Sequence, residues 1–329
     1  MIAKKQVFSQ KISVAPMLDW TDRHFRYFMR LITKHATLYT EMVAAPALIL
    51  GDRDKLLQYN TVEHPVELQV GGSDPKQMAL CAKMAEDYGY DGININAGCP
   101  SSRVQAGRFG AVLMQTPELV AECVAEMRRV VKIPVSVKTR IALASQTEGD
   151  GFEELLHFAD LVCKAGCAHL VVHARKAKLN WSPADNRARL PLNYDVVYRL
   201  KGAFPDMPIS INGNIMTLEE AKMHLERVDG VMLGRVAYGN PYLLADVDAQ
   251  FYKDSHPVLT RAEVLQQMIP YMQQHADALT VILPHLMGLF HGTPVAKKYR
   301  NILNARDLDA ISAFSTSSDA LLASQCPLK

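Results

Sequence analysis

From residue 12 to residue 233, short β-branched runs alternate with stretches carrying apolar residues every three or four positions. That alternation predicts parallel strands joined by crossover helices. Strands are expected at residues 12–18, 37–42, 66–70, 92–96, 135–139, 169–173, 209–212 and 230–233. Helices are expected between them, for instance at 75–88, 116–131, 152–165 and 218–227. Thr116-Pro117-Glu118 and Thr217-Leu218-Glu219-Glu220 read as helix starts, each with a capping hydroxyl and an acidic first turn. Eight strand–helix units within about 240 residues match the size of a (β/α)8 TIM barrel.

After Gly239-Asn240-Pro241 the strand pattern stops. Residues 261–275 and 277–304 read as helices with apolar positions at three- and four-residue spacing. The division expected is a catalytic barrel over 1–244 and a smaller all-helical domain over 245–329, with 251–260 as connector. The Ser- and Ala-rich end, through Gln325-Cys326-Pro327, is expected to fray in part.

Composition narrows the class. Hydrophobic residues make up 49% and charged residues 21% of 329, an ordinary globular mixture. The formal net charge is only +2, so any nucleic-acid contact must rest on local clustering. One such cluster runs from Arg175 to Lys201, with seven basic residues against two acidic ones; Lys297, Lys298, Arg300 and Arg306 form another. The longest apolar stretches, such as 280–290, are interrupted and too short to span a bilayer. Met1-Ile2-Ala3-Lys4-Lys5-Gln6 lacks the apolar core of a secretory signal, and the six cysteines form no CxxC pair. A cytoplasmic protein with free thiols, without membrane or DNA contacts, is the expectation.

In a barrel of this type, reactive groups sit where strands end. Strand four ends in Asn94-Ile95-Asn96-Ala97-Gly98-Cys99-Pro100, which puts a thiol capable of giving or taking a proton at the mouth. Such a cysteine can also be a small apolar filler. Strand three brings Gln69, whose amide can satisfy donor and acceptor atoms of a heterocycle. Strand five brings Lys138, facing either a bound anion or a structural partner such as Glu41 or Glu67. Strand six brings His173, a donor to a ring or phosphate or a satisfied core imidazole; His24 and His169 read as structural. Strands seven and eight end in Asn212-Gly213-Asn214 and Gly234-Arg235, turns suited to offering backbone N–H groups to a phosphate. Phosphate turns, an amide, a lysine and a histidine around one mouth suit flavin mononucleotide. No GxGxxG follows a strand, so a nicotinamide reductant would have to visit transiently.

Several segments are similar to those of a known family. Ser13-Val14-Ala15-Pro16-Met17-Leu18-Asp19-Trp20-Thr21-Asp22-Arg23, Asn94 through Pro100, Arg103-Val104-Gln105-Ala106-Gly107-Arg108-Phe109-Gly110 and His173-Ala174-Arg175-Lys176 resemble hallmark segments of the tRNA-dihydrouridine synthases, DusA type. The resemblance implies reduction of the C5–C6 double bond of uridine at D-loop positions 20 and 20a, with FMN bound and NADPH as reductant. Flavin N5 would deliver hydride to C6 and Cys99 a proton to C5. Pro16, Met17, Leu18, Gln69, Lys138 and His173 would hold the flavin, and Asn212, Gly213, Asn214, Gly234 and Arg235 its phosphate end. Asn96, Ala184, Arg187, Lys297 and Arg300 fall at tRNA-contacting positions. Ala184 stands where relatives usually carry lysine, and Lys297 where they usually carry arginine.

Two alternatives stay open at this point. A dihydroorotate-dehydrogenase-like barrel acting on a free pyrimidine would need the cofactor residues but not the helical domain. A non-catalytic RNA-binding protein would need the basic clusters but not Cys99 and Lys138. A monomer is expected.

Overall fold

The computed structural model describes residues 10–144, 149–179 and 181–324. Residues 1–6 and 325–327, with Cys326, lie outside them. Eight parallel strands close into a barrel in chain order: β1 (Ile12–Val14), β2 (Thr37–Ala44), β3 (Val66–Gly71), β4 (Gly92–Asn96), β5 (Val135–Arg140), β6 (His169–His173), β7 (Ile209–Asn212) and β8 (Gly230–Leu233). The ring closes through β1 and β8, where Ser13 pairs with Met232.

Because side chains alternate along a strand, each strand supplies two compartments. Ile93, Ile95, Val135, Val137, Leu170, Val172, Ile209 and Ile211 are fully buried between sheet and helices. Burying one such side chain contributes about 1.5–3 kcal/mol. The intervening residues point into the barrel. There Ala15, Tyr39, Val171 and Met232 form a separate small apolar cluster. Around it lie polar residues such as Glu67, Gln69, Asn94 and Ser136, all buried.

The principal crossover helices are α1 (Arg23–Ile32), α2 (Pro75–Asp87), α3 (Pro117–Val130), α4 (Phe152–Lys164), α5 (Tyr194–Ala203) and α6 (Leu218–Leu225). Asp22 caps α1 by accepting from the N–H groups of His24 and Phe25, both at 2.9 Å. Thr217 caps α6 as the sequence predicts, accepting from Glu220 N at 3.1 Å. Thr116 occupies the equivalent position of α3, but its hydroxyl makes no capping bond.

The predicted first strand, 12–18, is too long. Pairing ends one residue past β1, with Ala15 N donating to Leu233 O at 2.8 Å. Pro16 has no N–H to continue the ladder. The chain then folds into a turn in which Thr21 N donates to Met17 O at 2.9 Å and Met17 N to the Thr21 hydroxyl at 3.0 Å.

Beyond the barrel come α7 (Arg261–Gln274), α8 (Leu279–Leu286), α9 (Ala296–Ala305) and α10 (Leu308–Ser324). The single helix predicted over 277–304 is therefore two. The first of them ends at Leu286; Gly288 then lies where a Cβ would come within 2.7 Å of Gly239 O, and Gly292 takes a φ of +74° before Pro294. The expected connector 251–260 is also shorter, because Val247–Tyr252 is helical. Helix α10 was not anticipated from its Ser-rich sequence. Its Ile311 and Phe314 are buried, and Phe314 meets Phe290 and Tyr299 with ring centroids 5.3 and 5.5 Å away. The helical region docks on α1, where His24 Nδ1 lies 2.7 Å from the Tyr271 hydroxyl. Among the described residues, no helix is long and apolar enough to cross a membrane.

Candidate active site

Cys99 begins the loop after β4 and is half-buried. Three contacts hold its backbone. Asn96 Oδ1 accepts from Gly98 N at 3.2 Å and from Cys99 N at 3.0 Å. Arg140 Nε donates to Gly98 O at 2.8 Å, and its Nη1 donates to Lys176 O at 3.0 Å. Ala111 N donates to Cys99 O at 2.8 Å, so the returning loop closes on the cysteine. That closure requires Gly110, whose φ is +78° and whose Cβ would stand 2.6 Å from Cys99 O.

Lys138 and Arg140 project from the same face of β5, two residues apart, and both lie within electrostatic reach of Cys99. Lys138 Nζ donates to Asn212 Oδ1 at 3.2 Å, and Asn212 Nδ2 donates to Met232 O at 2.7 Å. The alternative ion pair of Lys138 with Glu41 or Glu67 is not formed. Glu67 accepts instead from Gln10 and from the Ser136 hydroxyl, and Glu41 accepts from Asp19 N. Burial, with Arg140 beside it, brings Lys138 down to about 8; burial brings Arg140 down to about 10.

His173 ends β6. Burial, then the charges of Arg140 and Lys138, hold its imidazole well below its ordinary value, so the ring is neutral. Its Nδ1 is inaccessible and has no hydrogen-bond partner, which removes the reading of a satisfied core imidazole. His169 and His24 keep the structural reading, His169 through Nε2 at 2.8 Å from the Ser210 hydroxyl.

Around His173 the charge is one-sided. Arg175 is 9% exposed, donates to Arg187 O, and leaves its Nε buried without a partner; Arg187 Nε is likewise unpaired. Burial and the charge of Arg235 lower both guanidinium groups. Among the described residues no carboxylate pairs with Lys138, Arg140, Arg175 or Arg187. Buried cations with orphaned donors fit an anionic ligand. The turn after β8 fits one too, since a Cβ on Gly234 would meet no atom within 4 Å. Asn214 is exposed at the rim beside buried Gly213.

Gln69 is buried, with Nε2 donating to Asn94 Oδ1 at 2.7 Å and Oε1 accepting from Asn96 Nδ2 at 2.9 Å. Pro16 and Met17 are half-buried in the turn after β1, while Leu18 is 55% exposed. The site thus brings together Cys99, Asn96, Gln69, Lys138, His173 and Asn212. Sequence reasoning set no role for Arg140 and Arg175. For Arg140 the signal is its two-residue spacing from Lys138 within β5, which puts both on one face, whereas Arg175 lies in the bend after β6.

The remaining candidates lie on the surface. Ala184 is exposed on the short helix Pro183–Arg189, and Lys297 and Arg300 are exposed on α9. Lys297 and Lys298 line an open hollow of about 580 Å3 with Pro294, Asn301, Ile302 and Asp307.

The profile of a family described as dihydrouridine synthase (Dus) matches residues 13–320. A Synechocystis protein named tRNA-dihydrouridine(20/20a) synthase is 49% identical over 320 residues, covering 96% of this chain and 95% of that protein. A Shewanella oneidensis protein of the same name is 52% identical over 296 residues, covering 89% and 87%. Among solved structures, an old yellow enzyme homologue from Zymomonas mobilis superposes with a TM-score of 0.53 at 13% identity, covering 76% of this chain and 90% of its own. A 2-naphthoyl-CoA reductase complex gives 0.58 at 12%, covering 72% and 49%. These two likenesses concern the barrel fold alone.

Proposed function

The chain belongs to the dihydrouridine synthase family, and from that premise we propose that it reduces uridine to 5,6-dihydrouridine in tRNA, at D-loop positions 20 and 20a. FMN is the resident cofactor of this reading and NADPH its reductant. The observation that carries it is the fixed placement of Cys99 beside Lys138 and Arg140 at the barrel mouth, with unpaired cationic donors alongside.

When bound, reduced FMN supplies the hydride for C6 of the uracil. Pro16, Met17 and Leu18 line the cofactor through the turn after β1, and Gln69 offers its amide to the ring edge. Lys138 carries the charge that balances an anionic ring, and His173, neutral, has a ring nitrogen left over for a ligand. Asn212, Gly213, Asn214, Gly234 and Arg235 take the phosphate end. Cys99 would give its thiol proton to C5; a general acid acts from its protonated form. Arg140 and Asn96 hold the backbone before Cys99, and Ala111 N holds its carbonyl, which keeps the sulfur in place.

The target base is stacked within folded RNA and must be turned outward to reach the mouth. Asn96, Ala184, Arg187, Lys297 and Arg300 form the RNA side of the reading, with the basic groups gripping phosphates. The decisive experiment maps dihydrouridine in unmodified tRNA after incubation with the purified protein, FMN and NADPH. Reduction at positions 20 and 20a supports the reading. Reduction of free uridine or orotate instead would replace it with a small-pyrimidine enzyme, and a colourless protein that binds tRNA without turnover would refute it.

A further inference from the structure

A line of hydrogen bonds runs through the barrel interior from Cys99 to a carboxyl group on β3. Its polarity is set from the top. The backbone N–H groups of Gly98 and Cys99 can only donate, so Asn96 must present Oδ1 to them. Its Nδ2 is thereby turned toward Gln69 Oε1, at 2.9 Å. Gln69 must then point Nε2 at Asn94 Oδ1, at 2.7 Å. Asn94 in turn donates from Nδ2 to the Ser136 hydroxyl at 2.9 Å, and that hydroxyl donates to Glu67 Oε2 at 3.0 Å. The links from Asn96 down to Glu67 are buried, and reversing Gln69 or Asn96 would set like atoms against each other.

An amide side chain is nearly symmetric in shape, so packing alone does not choose which end is oxygen. Gln69 and Asn96 therefore depend on their partners for orientation. Asn96 has its own anchor in the Cys99 loop, whereas Gln69 has only Asn96 and Asn94. We infer that Asn94 is a positioning residue: wedged between Gln69 and Ser136, it fixes the amide of Gln69 and braces Asn96 beneath Cys99. The mouth then meets its ligand with one donor and acceptor pattern instead of two. This rests on the proposed function only in that Gln69 and Cys99 face the reacting rings.

The test compares Asn94→Leu, which removes both bonds at similar volume, with Asn94→Asp, which keeps the acceptor for Gln69. The first readout is the rate of Cys99 alkylation by iodoacetamide in flavin-free protein, followed by peptide mass spectrometry. Asn94→Leu should change that rate several-fold, and Asn94→Asp should return toward wild type. The second readout is the visible spectrum of bound FMN, which should shift in Asn94→Leu. The third is turnover on tRNA, where kcat should fall at least tenfold while KM for tRNA stays within about twofold.

Folded variants that match wild type in alkylation, spectrum and kcat would overturn the assignment, as would a loss confined to Tm. Should Asn94→Leu fail to fold, Ser136→Ala, which removes both links below Asn94 and leaves its bond to Gln69, takes its place under the same criteria. A wild-type protein without flavin or turnover would retire the proposed function, while the alkylation comparison would still decide the role of Asn94.

Discussion

Lys138 and Asn212 meet across the barrel mouth, Nζ to Oδ1 at 3.2 Å, so the buried ammonium is held by a neutral amide. An ammonium without a counter-charge keeps its proton at a cost, which is why burial and Arg140 bring it to about 8. The unfolded chain keeps that proton up to about 10.4. Folding of the ligand-free protein is therefore penalised in full below about pH 8, and the penalty fades as pH rises from about 8 to about 10.4.

For an anionic ligand the sign is opposite, because binding favours the protonated lysine. FMN affinity should fall as pH rises past about 8, and Lys138→Met should bind more weakly with a flatter profile. Fluorescence titration of FMN between pH 7 and 9.5 checks this. A wild-type affinity independent of pH would contradict it.

Replacing Cys99 by alanine removes the proposed acid and little packing, since the residue is only half-buried. Cys99→Ala should keep FMN and NADPH oxidation by an artificial acceptor, yet lose about 10²–10⁴-fold in dihydrouridine formation. Loss of the flavin in this variant would make the cysteine structural.

Gly110→Ala puts a Cβ 2.5 Å from Val104 Cγ1 and 2.6 Å from Cys99 O, at a φ of +78°. Strain of this kind amounts to about 1–3 kcal/mol. The loop should open, lowering turnover at least tenfold while FMN stays bound. Loop opening should also appear as faster proteolysis within residues 101–115. A variant with wild-type turnover would mean that the closure over Cys99 is dispensable.

Lys297 and Arg300 are exposed, so their part in RNA binding would be electrostatic and screened by salt. Wild-type affinity for tRNA should drop steeply between 50 and 200 mM salt, and Lys297→Ala with Arg300→Ala should each lower the log–log slope by about 0.7–0.9. Filter binding across salt concentrations measures this. Variants with the wild-type slope would move the RNA contact elsewhere.

The barrel was legible because its strands are strongly periodic and each ends in a chemically distinctive residue. Cys99, Lys138, His173 and Asn212 stand where the pattern puts strand termini. What escaped the sequence was decided by tertiary contact. Between α8 and α9, Gly288 packs against Gly239, a neighbour far away in the chain. Helix α10 is stabilised by Phe314 against Phe290 and Tyr299, so its Ser-rich sequence carried little apolar signal. The role of Arg140 depends on where the carbonyls of Gly98 and Lys176 come to lie, which local spacing does not specify.

The small apolar cluster of Ala15, Tyr39, Val171 and Met232 fills part of the barrel interior, among buried polar residues such as Glu67 and Ser136. A barrel filled with side chains is a packed core and not a pore, so under the proposed function both reactants come to the mouth. If that proposed function holds, the electron donor and the electron acceptor take turns at the same threshold, and double-reciprocal plots at several concentrations of each should give parallel lines.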